Sequence, residues 1–421
     1  MKVKLTLCLL FAAITLQAQT TLYVSVTNPS EVQRSDQPVV ISLSDYGVIM
    51  SALVTLDGKE IPCQLDDLDQ DEQMDELCFL ADVGKKASQT YRVELYSEGE
   101  PRQYAARVYA EMVMGNKSVK EKNKQNNFIE SITARGDCAY SYNLQHHHGV
   151  DFESELNGIR IYFDQRQTLD LYGKYQKRLE LQQTQFYTSA EQKAEGYGDD
   201  VLWVGNTFGL GAFRGWNGSE PTMIEPVRSR TQRIISYGPL RTIVEVIDRG
   251  WQLPEGAAKT QGSAASPATL TMTLRYTQYA GHRDTDVDVF FSRDASDYCF
   301  STGVINVKGS VEFSDKKGLR ACWGTDYPAT DTLNWKRETV GLAVLVPERF
   351  VVSEQPANKD NYTLVVSPQG SRMNYKVAYC SANETFGFST SEAWFDWLRQ
   401  WRREVEHPIV YSIKKQQTPS T

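Results

Sequence analysis

Residues 241–251, RTIVEVIDRGW, and residues 268–280, ATLTMTLRYTQYA, decide the fold class. β-Branched and aromatic side chains dominate both, and polar and apolar positions alternate through much of their length, so each predicts a β-strand. Both are about twice the common strand length of five or six residues, which suits a large antiparallel sheet curving over a concave face. The stretch between them, PEGAAKTQGSAASPA (254–268), is small, polar and punctuated by Gly and Pro, as an exposed, mobile loop should be.

Outward from this pair the pattern recurs in YVSVTN (23–28), QPVVISL (37–43), YRVELY (91–96), DTDVDVFF (284–291), GLAVLV (341–346), YTLVVS (362–367) and NYKVAY (374–379). The chain is therefore expected to be all-β. Short, regularly spaced strands predict a small N-terminal β-sandwich over 20–112. The Lys- and Asn-rich passage GNKSVKEKNKQNN predicts a linker or exposed loop over 113–127, and residues 128–421 predict a large antiparallel sandwich. One window has helical spacing, STSEAWFDWLRQWRREVE. Trp394, Trp397, Leu398 and Trp401 fall at i, i+3, i+4 and i+7, and Ser389 and Glu392 have capping-box spacing. A helix over 390–405 with its Trp stripe docked on a sheet follows.

Residues 1–19 place Lys2 and Lys4 before an apolar run from Leu5 to Leu16 and small or polar residues around Ala18. This is the layout of a secretory signal peptide and predicts a periplasmic or secreted protein. No later run approaches the roughly 20 apolar residues of a membrane helix, so no membrane insertion is expected. Loss of the two lysines takes the formal charge from -8 to about -10. Such acidity argues against nucleic acid as a partner, because phosphate binding needs clustered Lys and Arg. Cys63, Cys78, Cys138, Cys299, Cys322 and Cys380 permit up to three disulfides, and no CxxC pair suggests zinc or redox chemistry.

Three stretches are chemically dense. In DDLDQDEQMDE (66–76), Asp67, Asp69, Asp71 and Asp75 stand at positions 1, 3, 5 and 9 of a calcium-type loop. Glu72 stands where such a loop needs glycine and Cys78 where it needs a bidentate acid, so a structural calcium is set against a plain acidic connection. No other cofactor is required. In HHHGVDFESELNGIRIYFDQRQTLDLYGK (146–174), a period of two puts Asp151, Glu153 and Glu155 on one face, and Arg160, Tyr162 and Asp164, then Asp170, Tyr172 and Lys174, on the next two. In GYGDDVLWVGNTFGLGAFRGWNG (196–218), Trp203, Phe208, Phe213 and Trp216 stand among Asp199, Asp200, Asn206 and Arg214. That composition resembles a sugar-binding surface, where aromatic faces stack on pyranose rings and fixed polar groups read hydroxyls.

With these residues in view, the chain resembles the DUF4861 family of exported Bacteroidetes proteins. The resemblance rests on the second and third stretches, the DELCFLADV run (75–83) and the C-terminal Trp helix, and covers nearly the whole mature chain. It implies a place in polysaccharide utilisation, with uronic-acid-containing glycans such as pectins as substrate. The large domain is similar to the supersandwich of galactose mutarotases and several polysaccharide lyases, an analogy that fixes fold and not function.

Two classes of function follow. An enzyme acting on uronate oligosaccharides by elimination would use His147 or His148 as base, Arg160 or Arg214 on the carboxylate and Tyr172 or Lys174 as acid. Acting by hydrolysis, it would use two of Glu153, Glu155 and Asp199. Histidines beside Tyr and Arg tilt the reading toward elimination or proton transfer. In either case Asp199, Trp203, Arg214 and Trp216 would contact the glycan. The alternative is a glycan-binding protein without turnover, which the aromatic, glycine-rich segment supports. The sequence does not set the oligomeric state.

Overall fold

The computed structural model describes residues 20–259 and 269–416, so the expected signal peptide and most of the 254–268 loop lie outside the described residues. The described chain is mostly β-strand. A first hydrophobic core gathers Leu22, Val24 and Val26 with Val39, Leu77, Phe79, Val93 and Leu95. It lies between a sheet ordered Val410–Lys415, Thr20–Thr27, Ser88–Tyr96, Ser51–Leu56, Lys59–Ile61 and a smaller sheet of Arg34–Ser42, Glu76–Val83 and Cys63–Asp66. The edge strand Val410–Lys415 is a correction to the expected boundaries. It pairs antiparallel with Thr20–Thr27, Ile413 opposite Val24, so the last of the described strands completes the N-terminal sandwich.

The second and larger core lies between a nine-stranded antiparallel sheet and two five-stranded sheets. The nine-stranded sheet runs Ser131–Arg135, Ser229–Tyr237, Arg241–Gln252, Thr269–Tyr279, Asp284–Phe291, Arg372–Ser381, Glu338–Leu345, Leu319–Asp326, Val311–Ser314. The opening pair of stretches sits near its middle with Val244 opposite Tyr276 and Val246 opposite Leu274, all pointing into the core. One five-stranded sheet is Asp199–Asp200, Leu169–Gly173, Gly158–Tyr162, Gly149–Ser154, Val108–Glu111; the other is Pro221–Thr222, Arg214–Trp216, Phe300–Ile305, Asn361–Val366, Val351–Glu354. Bridges from Gly209 to Leu169 and from Leu210 to Val304 stitch these two together.

Two more boundaries are corrected here. Val108–Glu111 pairs with Asp151–Ser154 and so belongs to the large sandwich. The expected linker is also partly structured: Val113–Met114 pairs with Asn127–Phe128, and buried Gln125 exchanges backbone-to-side-chain hydrogen bonds with Gln185 (2.9 and 2.8 Å). All six cysteines from Cys63 to Cys380 are free thiols.

The C-terminal helix spans Ser391–Glu406, with Thr390 rather than Ser389 as its cap, accepting from the Ala393 amide at 3.2 Å. Trp394, Phe395, Leu398 and Trp401 pack on Leu319, Ala321, Ala343, Leu345 and Ala378. The alanines leave room for indoles, so the outer face of the nine-stranded sheet is covered at this end. The N-terminal sandwich covers another part of it. Arg241, buried, bonds Asp66 at 2.6 and 2.8 Å and Glu76 at 2.7 Å, and Arg107 holds Asp36 at 2.6 Å and Glu155 at 2.5 Å. Gly281 sits in this contact with φ +73°, a backbone conformation that L side chains rarely adopt, and an added Cβ would crowd the Asp36 side chain.

Candidate functional site

Strands 149–154, 158–162 and 169–173 obey the expected alternation. Val150, Phe152, Ile159, Ile161, Leu169 and Leu171 enter the core, while Asp151, Glu153, Arg160, Asp170 and Tyr172 line the other face. That face is not open. Residues 178–198 fold back over it, with two short helices, Leu181–Thr184 and Ala190–Ala194, and Leu181 and Phe186 pack on Tyr172. A polar face under a lid must find its hydrogen-bond partners inside the protein.

Most do. Buried Glu153 accepts from Lys174 Nζ at 2.6 Å and from the amides of Glu180 and Leu181 at 2.8 Å. Lys174 spends its other two donors on the carbonyls of Ser154 (2.6 Å) and Arg178 (2.7 Å). Tyr172 donates to the Gly198 carbonyl at 2.8 Å, and burial raises its pKa. Arg160 pairs with Asp170 and, at 3.4 Å, with Asp200, its guanidinium 4.1 Å from the Phe186 ring centre. Arg214, buried, donates to Thr168 Oγ1 (2.9 Å) and the Thr207 carbonyl (2.8 Å). These five residues, expected to touch substrate, are internal braces that hold the lid and the sheet.

The remaining expected residues separate. Glu155 lies past the strand end, where Arg107 and the Gly281 amide (2.8 Å) take its carboxylate, so it does not share the face of Asp151 and Glu153. His148 has φ +72° and stacks on Tyr162 at 5.8 Å; burial and the nearby Arg160 lower its pKa to about 4. His147 is enclosed with Glu111 and Asp151. Asp199 pairs with Lys193. Phe208, Phe213 and Trp216 are buried, and only Trp203, 52 % exposed, reaches the surface, beside Lys308, Tyr327 and Lys359. In the acidic loop the carboxylates cap their own turn: Asp67 accepts from the amides of Gln70 (2.7 Å) and Glu72 (2.8 Å), and Asp75 turns away to the Leu68 amide (2.7 Å). Asp67, Asp69 and Asp71 lie close enough together to hold a metal ion, and Asp75 is not among them.

The open site lies elsewhere, on the outer face of the nine-stranded sheet. Arg233, Glu245, Arg275, Asp288 and Asn374 stand directly opposite one another across five strands, one row of alternating charge. This row floors a groove of about 860 Å³ whose walls include Glu76, Phe290, Arg349 and Arg372. Glu245 is held by Arg233 and Arg275, both at 2.7 Å. Asp288 has no ion-pair or hydrogen-bond partner among the described residues, and burial together with the neighbouring Asp286 charge raises its pKa to about 6. Arg349 and Arg372 form no ion pair with a described residue; Arg372 lies 5.2 Å from the Phe290 ring centre and Arg349 donates to Asn374 at 3.3 Å. The charged row lies outside the three chemically dense stretches. Its signal was DTDVDV, whose alternation puts Asp284, Asp286 and Asp288 on one face.

The face continues into a second hollow of about 600 Å³ between the helix and the N-terminal sandwich, lined by Tyr279, His282, Asp284, Lys376 and Trp397. His282 Nδ1 lies 3.1 Å from Asp284 Oδ1 and Nε2 donates to the Asp36 carbonyl at 2.7 Å, so only the imidazolium satisfies both acceptors. Burial opposes that charge, but Asp284 and the Asp36 carbonyl outweigh it and raise the His282 pKa above 6.5. A raised folded-state pKa gives stability that is complete below about 6.5 and lost as pH rises through the folded value. The melting-temperature gap between the wild type and His282→Gln is therefore expected to shrink as pH rises above that point, measured by scanning fluorimetry.

The fold and groove define a two-sandwich, all-β protein with a charged cleft on its largest sheet. The chain belongs to the family described as "Domain of unknown function (DUF4861)", whose model matches residues 26–410. No curated protein matches it in sequence. Among solved structures it is similar to an alpha-mannosidase from Enterococcus faecalis V583 (TM-score 0.49, 9% identity) and to a protein in glycosyl hydrolase family 38 from Enterococcus faecalis (TM-score 0.48, 10% identity). Those matches cover 95% and 94% of this chain but 47% of each structure, so the chain spans about half their length.

Proposed function

We propose that the groove binds a uronate-containing oligosaccharide and that Asp288 is the base of a β-elimination. The observation that carries this reading is the pairing pattern on the groove surface. Among its described acids Asp288 alone lacks a partner, while Arg349 and Arg372 carry positive charge with no acid to meet it. A sugar carboxylate held by Arg349 and Arg372 would have its negative charge offset, which acidifies the adjacent C–H bond. Asp288 takes that proton, the freed electron pair forms a carbon–carbon double bond, and the glycosidic oxygen leaves with a proton from solvent. Hydrolysis by two carboxylates fits less well. It needs a second free acid, and Glu245 is locked between two arginines while Asp286 is paired with Lys376. The ligand class agrees with what the sequence resemblance implies.

The arginines give the direct test. Replacing both (Arg349→Ala with Arg372→Ala) removes charge-assisted bonds worth roughly 1.5–3 kcal/mol each, so affinity for oligogalacturonate should fall at least about a hundredfold by calorimetry. Both side chains are exposed and free of ion pairs, so folding should hold. Unchanged affinity, or equal binding of the methyl-esterified and acid forms by the wild type, would remove the reading.

A further inference from the structure

We propose that Glu111, His147 and Asp151 form a binding site for one divalent cation of the zinc class, enclosed beneath the 178–198 lid and separate from the groove. The strands bring these residues together by register. Asp151 on strand 149–154 pairs directly with Glu111 on strand 108–111, and His147 lies four residues before Asp151, at the turn into the same strand. His147 Nε2 is 3.5 Å from Glu111 Oε1 and 3.6 Å from Asp151 Oδ2, and one donor atom from each of the three lies within 4.8 Å of the others. Ligands at about 2.0–2.1 Å around a tetrahedral ion stand roughly 3.4 Å apart, so the spacing is already close to that of a metal shell.

The second observation is that these atoms have nothing else to bind. The residues are 2, 0 and 0 % exposed, yet Glu111 Oε1, both ring nitrogens of His147 and both carboxylate oxygens of Asp151 lack any hydrogen-bond partner among the described residues. Elsewhere in the same layer each acid has its cation, Glu153 with Lys174 and Asp170 with Arg160. Here two carboxylates and an imidazole converge, with no Lys or Arg among the described residues paired to them. Tyr109 donates to Glu111 Oε2 at 2.6 Å, which steadies the carboxylate and leaves Oε1 directed at the other two groups. The donor set selects the class of ion. Calcium takes six to eight oxygens, and magnesium keeps most of its water, whereas one imidazole with two carboxylates suits zinc or manganese. The ion would tie strand 108–111 and the 145–148 turn to the sheet.

The test uses the full chain. Metal content is measured by plasma mass spectrometry after purification. The melting temperature is then followed after chelation and on adding ZnCl₂ or MnCl₂. The expected result is one equivalent of metal per chain, a melting temperature that falls on chelation and recovers with either salt, and loss of both metal and recovery in Asp151→Asn. Tyr109→Phe, which keeps all three ligands, should weaken the metal about 10- to 100-fold. A metal-free protein whose melting temperature ignores both salts would overturn the proposal, as would undiminished metal in Glu111→Gln and Asp151→Asn. If those variants fail to fold, the wild-type content and the Tyr109→Phe titration still decide.

Discussion

Asp288→Asn is expected to lower turnover of uronate oligosaccharides by about 10²–10⁴-fold, the range a positioned base contributes, while leaving affinity within a few-fold. Asparagine keeps the size and position of the side chain and removes only its capacity to take a proton. The pH profile sharpens the expectation. Burial and the Asp286 charge hold the Asp288 pKa at about 6, and a base must be ionised, so wild-type turnover should fall as pH drops through about 6. The variant's residual activity should lack that limb. A limb that survives in Asp288→Asn belongs to another group and excludes Asp288 as the base.

The second large effect concerns stability. Lys174 and Glu153 are both fully buried and 2.6 Å apart, and breaking such a pair by removing one partner costs about 3–5 kcal/mol, because the other charge is left uncompensated. Lys174→Met should therefore shift the urea midpoint strongly with an unchanged slope. Adding Glu153→Gln should restore part of the loss. It removes the stranded charge while its amide oxygen still accepts from the Glu180 and Leu181 amides. If Lys174 were instead the acid of the reaction, Lys174→Met would lose activity and keep its stability.

The period-two alternation carried much of this structure. It identified the long central strands, put Asp151 and Glu153 on the face opposite Val150 and Phe152, and the 3.6-residue spacing of Trp394, Trp397, Leu398 and Trp401 placed the C-terminal helix on a sheet. Alternation tells which residues share a face, not whether that face meets water. The acids at 151 and 153 share theirs with a lid that begins some twenty-five residues later, whereas Asp288 faces the open groove and Asp284 and Asp286 the hollow beside it. Only tertiary contacts distinguish the two cases, here Leu181 and Phe186 against Tyr172 in one, and the stand-off of the N-terminal sandwich and the helix in the other. Two further features were hidden for the same reason. Val410–Lys415 joins a strand nearly 400 residues away, and Glu111, His147 and Asp151 meet only through strand register.

The role of Asp288 is decided by incubating the wild type and Asp288→Asn with oligogalacturonate at pH 7 and following ultraviolet absorbance. Elimination creates a double bond conjugated to the uronate carboxylate, so absorbance should rise with the wild type and stay flat with the variant. New reducing ends without that absorbance, or equal rates from the two proteins, would contradict the assignment of the groove and of Asp288.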